Sequence, residues 1–278
     1  MIRLGIGSWT LPWAVGFKNN HYQYPRWSAN DLLHFAADQG VSLLQLYNNI
    51  HLTSLTSRQL SQIAGKASRL GIELAVGGEG IGLNELQALL RVASELGSRS
   101  VRTVIPAQSG FTSRASELAD VTRQFSERMP AFEKSGVLLY LENHDRFSSL
   151  EYLQIIRSVD SDKLAVCFDT GNGAGRLEDF MHGFETLREY IHCVHYKEIS
   201  IRRVSTNLGF IIEGCRPGEG ENILSGLFHL LSGCPHVTEI VLEQWVPFQK
   251  TIKNTLVVEK EWALEGLRLI KDHLALLK

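Results

Sequence analysis

The sequence predicts an α/β fold, a single-domain (β/α)₈ TIM barrel over residues 1–278. Three observations lead there. Short apolar runs alternate with longer amphipathic segments along the whole chain, the pattern of buried parallel strands separated by helices. These strand–helix units follow one another without a break in composition. The length of 278 residues suits a barrel of this kind, which typically takes ~250.

Eight segments read as strands: Arg3–Ser8, Ser42–Leu46, Ile72–Val76, Ser100–Ile105, Val137–Glu142, Leu164–Asp169, Ile191–Lys197 and Glu239–Trp245. The helical pattern is clearest over Ala29–Gln39, Leu55–Leu70, Leu83–Leu96, Arg114–Lys134, Ser149–Val159, Leu177–Tyr190, Glu221–Leu231 and Glu259–Leu277. Gly40, Gly71, Gly97 and Gly136 stand where helices should stop and strands begin. An open doubly wound sheet is the rival arrangement, but no strand is followed by a GxGxxG turn. The stretch Ile201–Gly220 is the longest connection without clear periodicity, and long connections of this type in compact domains usually serve function.

Composition narrows the function. With 28 basic and 30 acidic residues, the formal charge of −2 lacks the basic footprint of nucleic-acid binding and any pull toward an anionic membrane. No run approaches the ~20 apolar residues that cross a bilayer, and the start MIRLGIGSWTLPW is too broken for a signal peptide. A cytoplasmic location is expected. Cys167, Cys193, Cys215 and Cys234 form no CxxC pair; the first two lie in apolar runs and read as small hydrophobes.

The chemistry is concentrated at the ends of the last four strands. Glu142 ends the fifth and Asp169 the sixth; His195 lies near the end of the seventh and Glu243 in the eighth. Alternation along a strand puts Glu142 on the face of Leu138 and Tyr140, Asp169 with Ala165 and Cys167, His195 with Ile191 and Cys193, and Glu243 with Val241. If these faces point inward, four metal-ligating side chains converge at the carboxyl end of strands five to eight, where barrel active sites are built. Three carboxylates facing one space repel one another, and a divalent cation relieves the conflict. An oxygen-rich set with one imidazole favours Mn²⁺, Mg²⁺ or Co²⁺, with Zn²⁺ also compatible.

The phrases LENHD (141–145), CFDTGN (167–172), VHYKE (194–198), PGEGEN (217–222) and VLEQW (241–245) resemble the xylose isomerase-like barrel superfamily of sugar isomerases and epimerases. The resemblance spans most of the chain. It implies that Glu142, Asp169, His195 and Glu243 bind one divalent metal ion, and that Glu142 and Glu243 move the proton as the catalytic pair. Many members carry His where this chain has Asn172. Asn172 can bond a hydroxyl but is a poor metal ligand, so a multi-metal site is not expected.

The implied activity is that of a metal-dependent isomerase or epimerase of carbohydrate metabolism. It would act on a small ketose or keto-polyol by Glu-mediated proton transfer through an enediolate. The same site could serve a dehydratase of a cyclic keto-polyol of inosose type. An apurinic endonuclease-like nuclease shares the barrel but uses extra His ligands. Here strands two and three end without His, and Ile201–Gly220 holds neither His nor Asp. A non-catalytic sugar-binding barrel is opposed by retention of all four ligand types.

Further substrate-binding candidates are Asn172, His144, Lys197, Arg202 of the long seventh loop, and Trp13 of the first. His21 and His51 lack ligand spacing, and PGEGEN reads as a tight turn before a helix. Arg3, Glu73 and Arg102 lie early in strands and are expected to form ion pairs at the barrel bottom. The expected partner is a small sugar or polyol, with neither nucleic acid nor membrane. The resemblance also suggests a homodimer.

Overall fold

The computed structural model describes residues 2–107, 110–221 and 223–277. Its strands are β1 (Arg3–Gly7), β2 (Leu43–Leu46), β3 (Glu73–Gly77), β4 (Ser100–Thr103), β5 (Leu138–Glu142), β6 (Leu164–Asp169), β7 (Ile191–Tyr196), β8 (Ile199–Arg203), β9 (Phe210–Gly214) and β10 (Glu239–Leu242). The first seven and β10 are parallel and close into a barrel, β10 pairing with β1 and β7. Helices α1 (Pro12–Val15), α2 (Ala29–Asp38), α3 (Ser57–Arg69), α4 (Leu83–Leu96), α5 (Arg114–Ser135), α6 (Ser149–Val159), α7 (Phe180–Leu187), α8 (Ile223–Leu231) and α9 (Ile252–Leu276) follow the strands. Asn222, the last residue of PGEGEN, lies outside the described residues.

Local signals explain the joints. Thr56 and Ser148 open α3 and α6 with capping boxes completed by Gln59 and Glu151. Gly136 ends α5 at φ 74°, a left-handed conformation that feeds the chain straight into β5. The barrel has two apolar layers. Leu43, Ala75, Tyr140, Ala165, Cys167, Cys193 and Val241 fill the lumen, while a larger cluster lies between strands and helices.

The inward faces of β5, β6 and β10 are those expected. On β7 the expectation fails for Ile191: the register shifts beside Val166 and Cys167, so that Val166 pairs with Ile191 and Cys167 with Cys193. The extra residue turns Ile191 into the outer layer and leaves Cys193 and His195 facing inward.

Two connections differ from expectation. The stretch expected to lack regular structure, 201–220, contains most of an antiparallel hairpin, with Ile199 opposite Gly214 and Arg203 opposite Phe210. Its alternation of Ile199, Ser200, Ile201 and Arg202 is short, and much of it is exposed. A Cβ at Gly214 would lie 2.0 Å from the Trp245 carbonyl oxygen, so the hairpin end presses directly on the chain leaving β10. Helix α9 begins at Ile252 rather than Glu259, capped by Thr251.

Glu259 is therefore inside a helix and buried. Its carboxylate accepts from the backbone N–H of Trp13 at 2.6 Å and Ala14 at 2.9 Å, groups at the start of α1. Burial pushes this carboxyl up to about 8, against the lowering effect of those two N–H groups. The unfolded chain ionises it near the ordinary value of 4.5, so its stabilising contribution is complete below that pH and is lost as pH rises through about 8. Thermal melts should show wild type losing stability across this window relative to Glu259→Gln. Parallel pH profiles for the two proteins would refute the assignment.

At the amino end of the strands, Arg3 pairs with Glu73 and, at 2.6 Å, with Glu239. Arg102, expected in the same layer, is not there. Its Cα partner across the sheet is the lumen-facing Tyr140, so its side chain enters the barrel and extends toward the opposite end. Among the described residues, no helix is long and apolar enough to cross a membrane.

Candidate metal centre and active site

Glu142 is the last residue of β5 and Asp169 the last of β6. His195 lies in β7, directly opposite Asp169. Glu243 is one residue beyond β10, held by its backbone N–H on the Tyr196 carbonyl at 2.9 Å. One potential ligand atom from each of the four lies within 4.8 Å of those from the others. All four residues are buried. The structure thus brings together the complete expected ligand set.

Backbone contacts fix the acids. Asp169 Oδ1 accepts from the N–H groups of Gly171 at 2.8 Å and Asn172 at 2.9 Å, at the entry to the 3₁₀ turn Asn172–Arg176. Asn143 clamps the Asp169 backbone, donating to its carbonyl at 3.0 Å and accepting from its N–H at 2.6 Å. Oδ2 is left facing the cluster. Asn172 donates through Nδ2 to Glu142 Oε1 at 2.9 Å and to the Asn143 carbonyl at 3.1 Å. It therefore orients a candidate ligand, as a side chain with donors and acceptors can.

Lys197 is buried within the site. Its Nζ lies 2.8 Å from Asp169 Oδ2 and 3.3 Å from Glu243 Oε2, donates to Asn172 Oδ1 at 3.4 Å, and stands 4.2 Å from the Trp245 ring centre. Its backbone exchanges two hydrogen bonds with the Thr170 hydroxyl, each 2.9 Å. Burial opposes the ammonium charge, but Asp169 and Glu243 outweigh it and hold its pKa above the ordinary value.

Arg102 is the functional candidate that sequence reasoning missed. Its Nη2 touches Glu142 Oε2 and lies 3.5 Å from Glu243 Oε1 and 3.4 Å from His195 Nδ1. The guanidinium lies 4.1 Å over the Tyr47 ring centre. The signal available in the sequence was a charged residue inside a short strand. Charge therefore does not require a metal in the simple way that three acids and a His suggest. Three carboxylates already face two cations.

The two glutamates differ electrostatically. Burial raises the Glu142 carboxyl, and nearby Arg102 does not fully offset it. Burial also pushes Glu243 up, but His195 and Lys197 overcome this and hold it well below the usual carboxylate range. Without a metal, Glu142 thus holds its proton more readily than Glu243 does.

Arg102, Glu142, Asn172, Lys197, Glu243 and Trp245 wall a cavity of about 430 Å³. Trp9, Asn48 and Glu79 also border a second cavity of about 1020 Å³ among the first three βα loops. His144 reaches the smaller cavity with its ring nitrogen on Asp145. Two candidates lie elsewhere. Arg202 is exposed on the hairpin, 2.8 Å from Glu213. Trp13 donates to the Val246 carbonyl at 2.8 Å and packs edge-on against Phe17, behind the wall of the site cavity.

The site's donor chemistry, three carboxylates and one imidazole, fits a single divalent ion. Comparison with known proteins agrees with the architecture. A family model described as xylose isomerase-like TIM barrel matches residues 3–273. The chain is 24% identical over 236 residues to 3-oxo-isoapionate decarboxylase of Pectobacterium atrosepticum, covering 85% of this chain and 84% of that protein. Its fold superposes on D-psicose 3-epimerase from Clostridium cellulolyticum H10 with TM-score 0.73, 16% identity and complete coverage of both chains. It also superposes on the probable 3-DHS dehydratase AsbF from Bacillus anthracis with TM-score 0.68 and 15% identity, covering 97% and 99% of the two chains.

Proposed function

Because this chain belongs to the xylose isomerase-like TIM-barrel family, we propose that it is a divalent-metal-dependent isomerase or epimerase of a small ketose or keto-polyol. The observation that carries this reading is the meeting of Glu142, Asp169, His195 and Glu243 within one buried cluster beside a cavity of sugar size. Those four residues would hold the ion, which when bound supplies Lewis-acid polarisation of the substrate carbonyl.

The protein's own groups do the rest. Of Glu142 and Glu243, one removes the proton next to the carbonyl and the other returns one to the enediolate. Lys197 and Arg102 keep positive potential beside the developing oxyanion. Asn172 orients Glu142, and Trp245 and Tyr47 carry the two cations on their ring faces.

A second reading is decarboxylation of an oxo sugar acid. Its support is the match to 3-oxo-isoapionate decarboxylase over most of both chains, together with two buried cations suited to an anionic substrate. The same enolate would form by loss of CO₂ rather than of a proton. Dehydration of a cyclic keto-polyol is the third outcome the site could serve.

One experiment separates them. The protein is incubated in D₂O with Mn²⁺, Mg²⁺ or Co²⁺ and a panel of ketoses, inososes and 3-oxo sugar acids. The expected result is an isomeric product carrying deuterium at the carbon next to the carbonyl. Release of CO₂ or loss of water would replace the first reading with the second or third. No exchange and no product with any member would overturn the enolising function.

A further inference from the structure

We propose that Arg102 is a tethered counter-cation that shares the acid cluster with the divalent ion and sets how tightly that ion is held. The inference rests on the metal site of the proposed function and adds a residue that the four-ligand reading does not contain.

The geometry is specific. A single guanidinium nitrogen, Nη2, lies against Glu142, 3.5 Å from Glu243 Oε1 and 3.4 Å from His195 Nδ1. Three of the four candidate ligands, in or just after three different strands, therefore face one positive group. A divalent ion would draw donor atoms of the same residues to roughly 2.0–2.2 Å from its centre. Two cations cannot both take that position, and like charges a few ångströms apart in a buried site repel strongly. Binding of the ion must displace the guanidinium.

The surroundings allow such a displacement. Arg102 borders the site cavity, and its Nε and Nη1 have no hydrogen-bond partner among the described residues. Its contact with Tyr47 is through the ring face, which tolerates sliding better than a directed hydrogen bond does. Lys197 differs. It is held by Asp169, Glu243, Asn172 and Trp245 together, and its ammonium pairs with Asp169 where Arg102 pairs with Glu142. Lys197 is the fixed cation and Arg102 the exchangeable one.

Formal charge gives the direction of the effect. With all three carboxylates ionised, as coordination of the ion requires, and both cations present, one negative charge is uncompensated, and a divalent ion leaves the site positive. Without Arg102, the same ion leaves it neutral. Removing Arg102 should therefore tighten metal binding, the reverse of what loss of a residue that merely supports the site would do.

The test uses the full chain, stripped of metal and titrated with Mn²⁺, free Mn²⁺ being read by electron paramagnetic resonance. Arg102→Met and Arg102→Gln should bind Mn²⁺ about tenfold or more tightly than wild type. Arg102→Lys, which keeps the charge, should stay near wild type. In Arg102→Ala, millimolar methylguanidinium should weaken Mn²⁺ binding toward the wild-type value while leaving wild type unaffected. Circular dichroism identifies the variants that are folded, and any one folded Met, Gln or Ala variant decides the matter. Equal or weaker Mn²⁺ binding in folded Met, Gln or Ala variants overturns the role of Arg102 and leaves the metal site standing. No Mn²⁺ binding by wild type or any variant overturns the metal site itself, and this proposal with it.

Discussion

Replacing Glu142 with glutamine is expected to lower turnover by about 10²–10⁴-fold, the usual contribution of a positioned acid or base. The side chains are nearly the same size, so the variant should fold. An oxygen of the new amide can still accept from Asn172 Nδ2, now 2.9 Å from Glu142 Oε1. What is lost is the group that gives up and takes back a proton, together with the charge that faces Arg102. The measurement is turnover at saturating metal, so that weaker metal binding is not mistaken for lost chemistry, on whichever substrate the D₂O panel identifies. Full turnover in a folded Glu142→Gln protein would refute the proton-transfer role. If the reaction proves to be decarboxylation, the loss should be smaller for the C–C cleavage than for deuterium exchange into the product.

Replacing Lys197 with alanine should destabilise the metal-free protein by about 3–5 kcal/mol, the cost of removing one partner from a buried ion pair. The lysine is 3% exposed, and its ammonium faces two carboxylates that are themselves buried. Losing it strands Asp169 and Glu243 and removes the cation from the Trp245 ring. The surface pair Arg202–Glu213 provides the contrast. Both partners are substantially exposed, and Arg202→Ala should change stability by no more than about 1 kcal/mol. Urea unfolding of the three proteins, stripped of metal, measures both values. A Lys197→Ala protein as stable as Arg202→Ala would mean that the acid cluster does not depend on this lysine for its charge balance.

These expectations differ in where they could be read. Glu142 and Asp169 end apolar runs, and a carboxylate there is visible in a sequence because the strand before it has no other polar residue. His195 and Glu243 follow once the strand rhythm has been counted. Arg102 could not be placed in the same way. Its position in SVRT suggests a strand, but which end of the barrel its long side chain reaches depends on the lumen-facing partner Tyr140. Arg202 is the contrasting case: a basic residue in a long loop after the strand of His195 suits a substrate by its sequence position, and the hairpin leaves it exposed and paired with Glu213.

What the amino-acid order determined by itself was periodic. Alternating strand and helix lengths, helix-ending glycines and acids at strand ends specify the barrel and the carriers of its four candidate ligands, because each depends on neighbours a few residues away. Tertiary structure decided the rest. It placed Arg102 among the ligands, turned Ile191 out of the lumen through a shifted register, seated Gly214 on the Trp245 carbonyl, and buried Glu259 beneath α1. Each of these is a contact between segments distant in the chain or a local irregularity. Long side chains, bulges and unpaired helix ends are resolved only when a particular partner arrives, and hydrophobic spacing does not record which partner that will be.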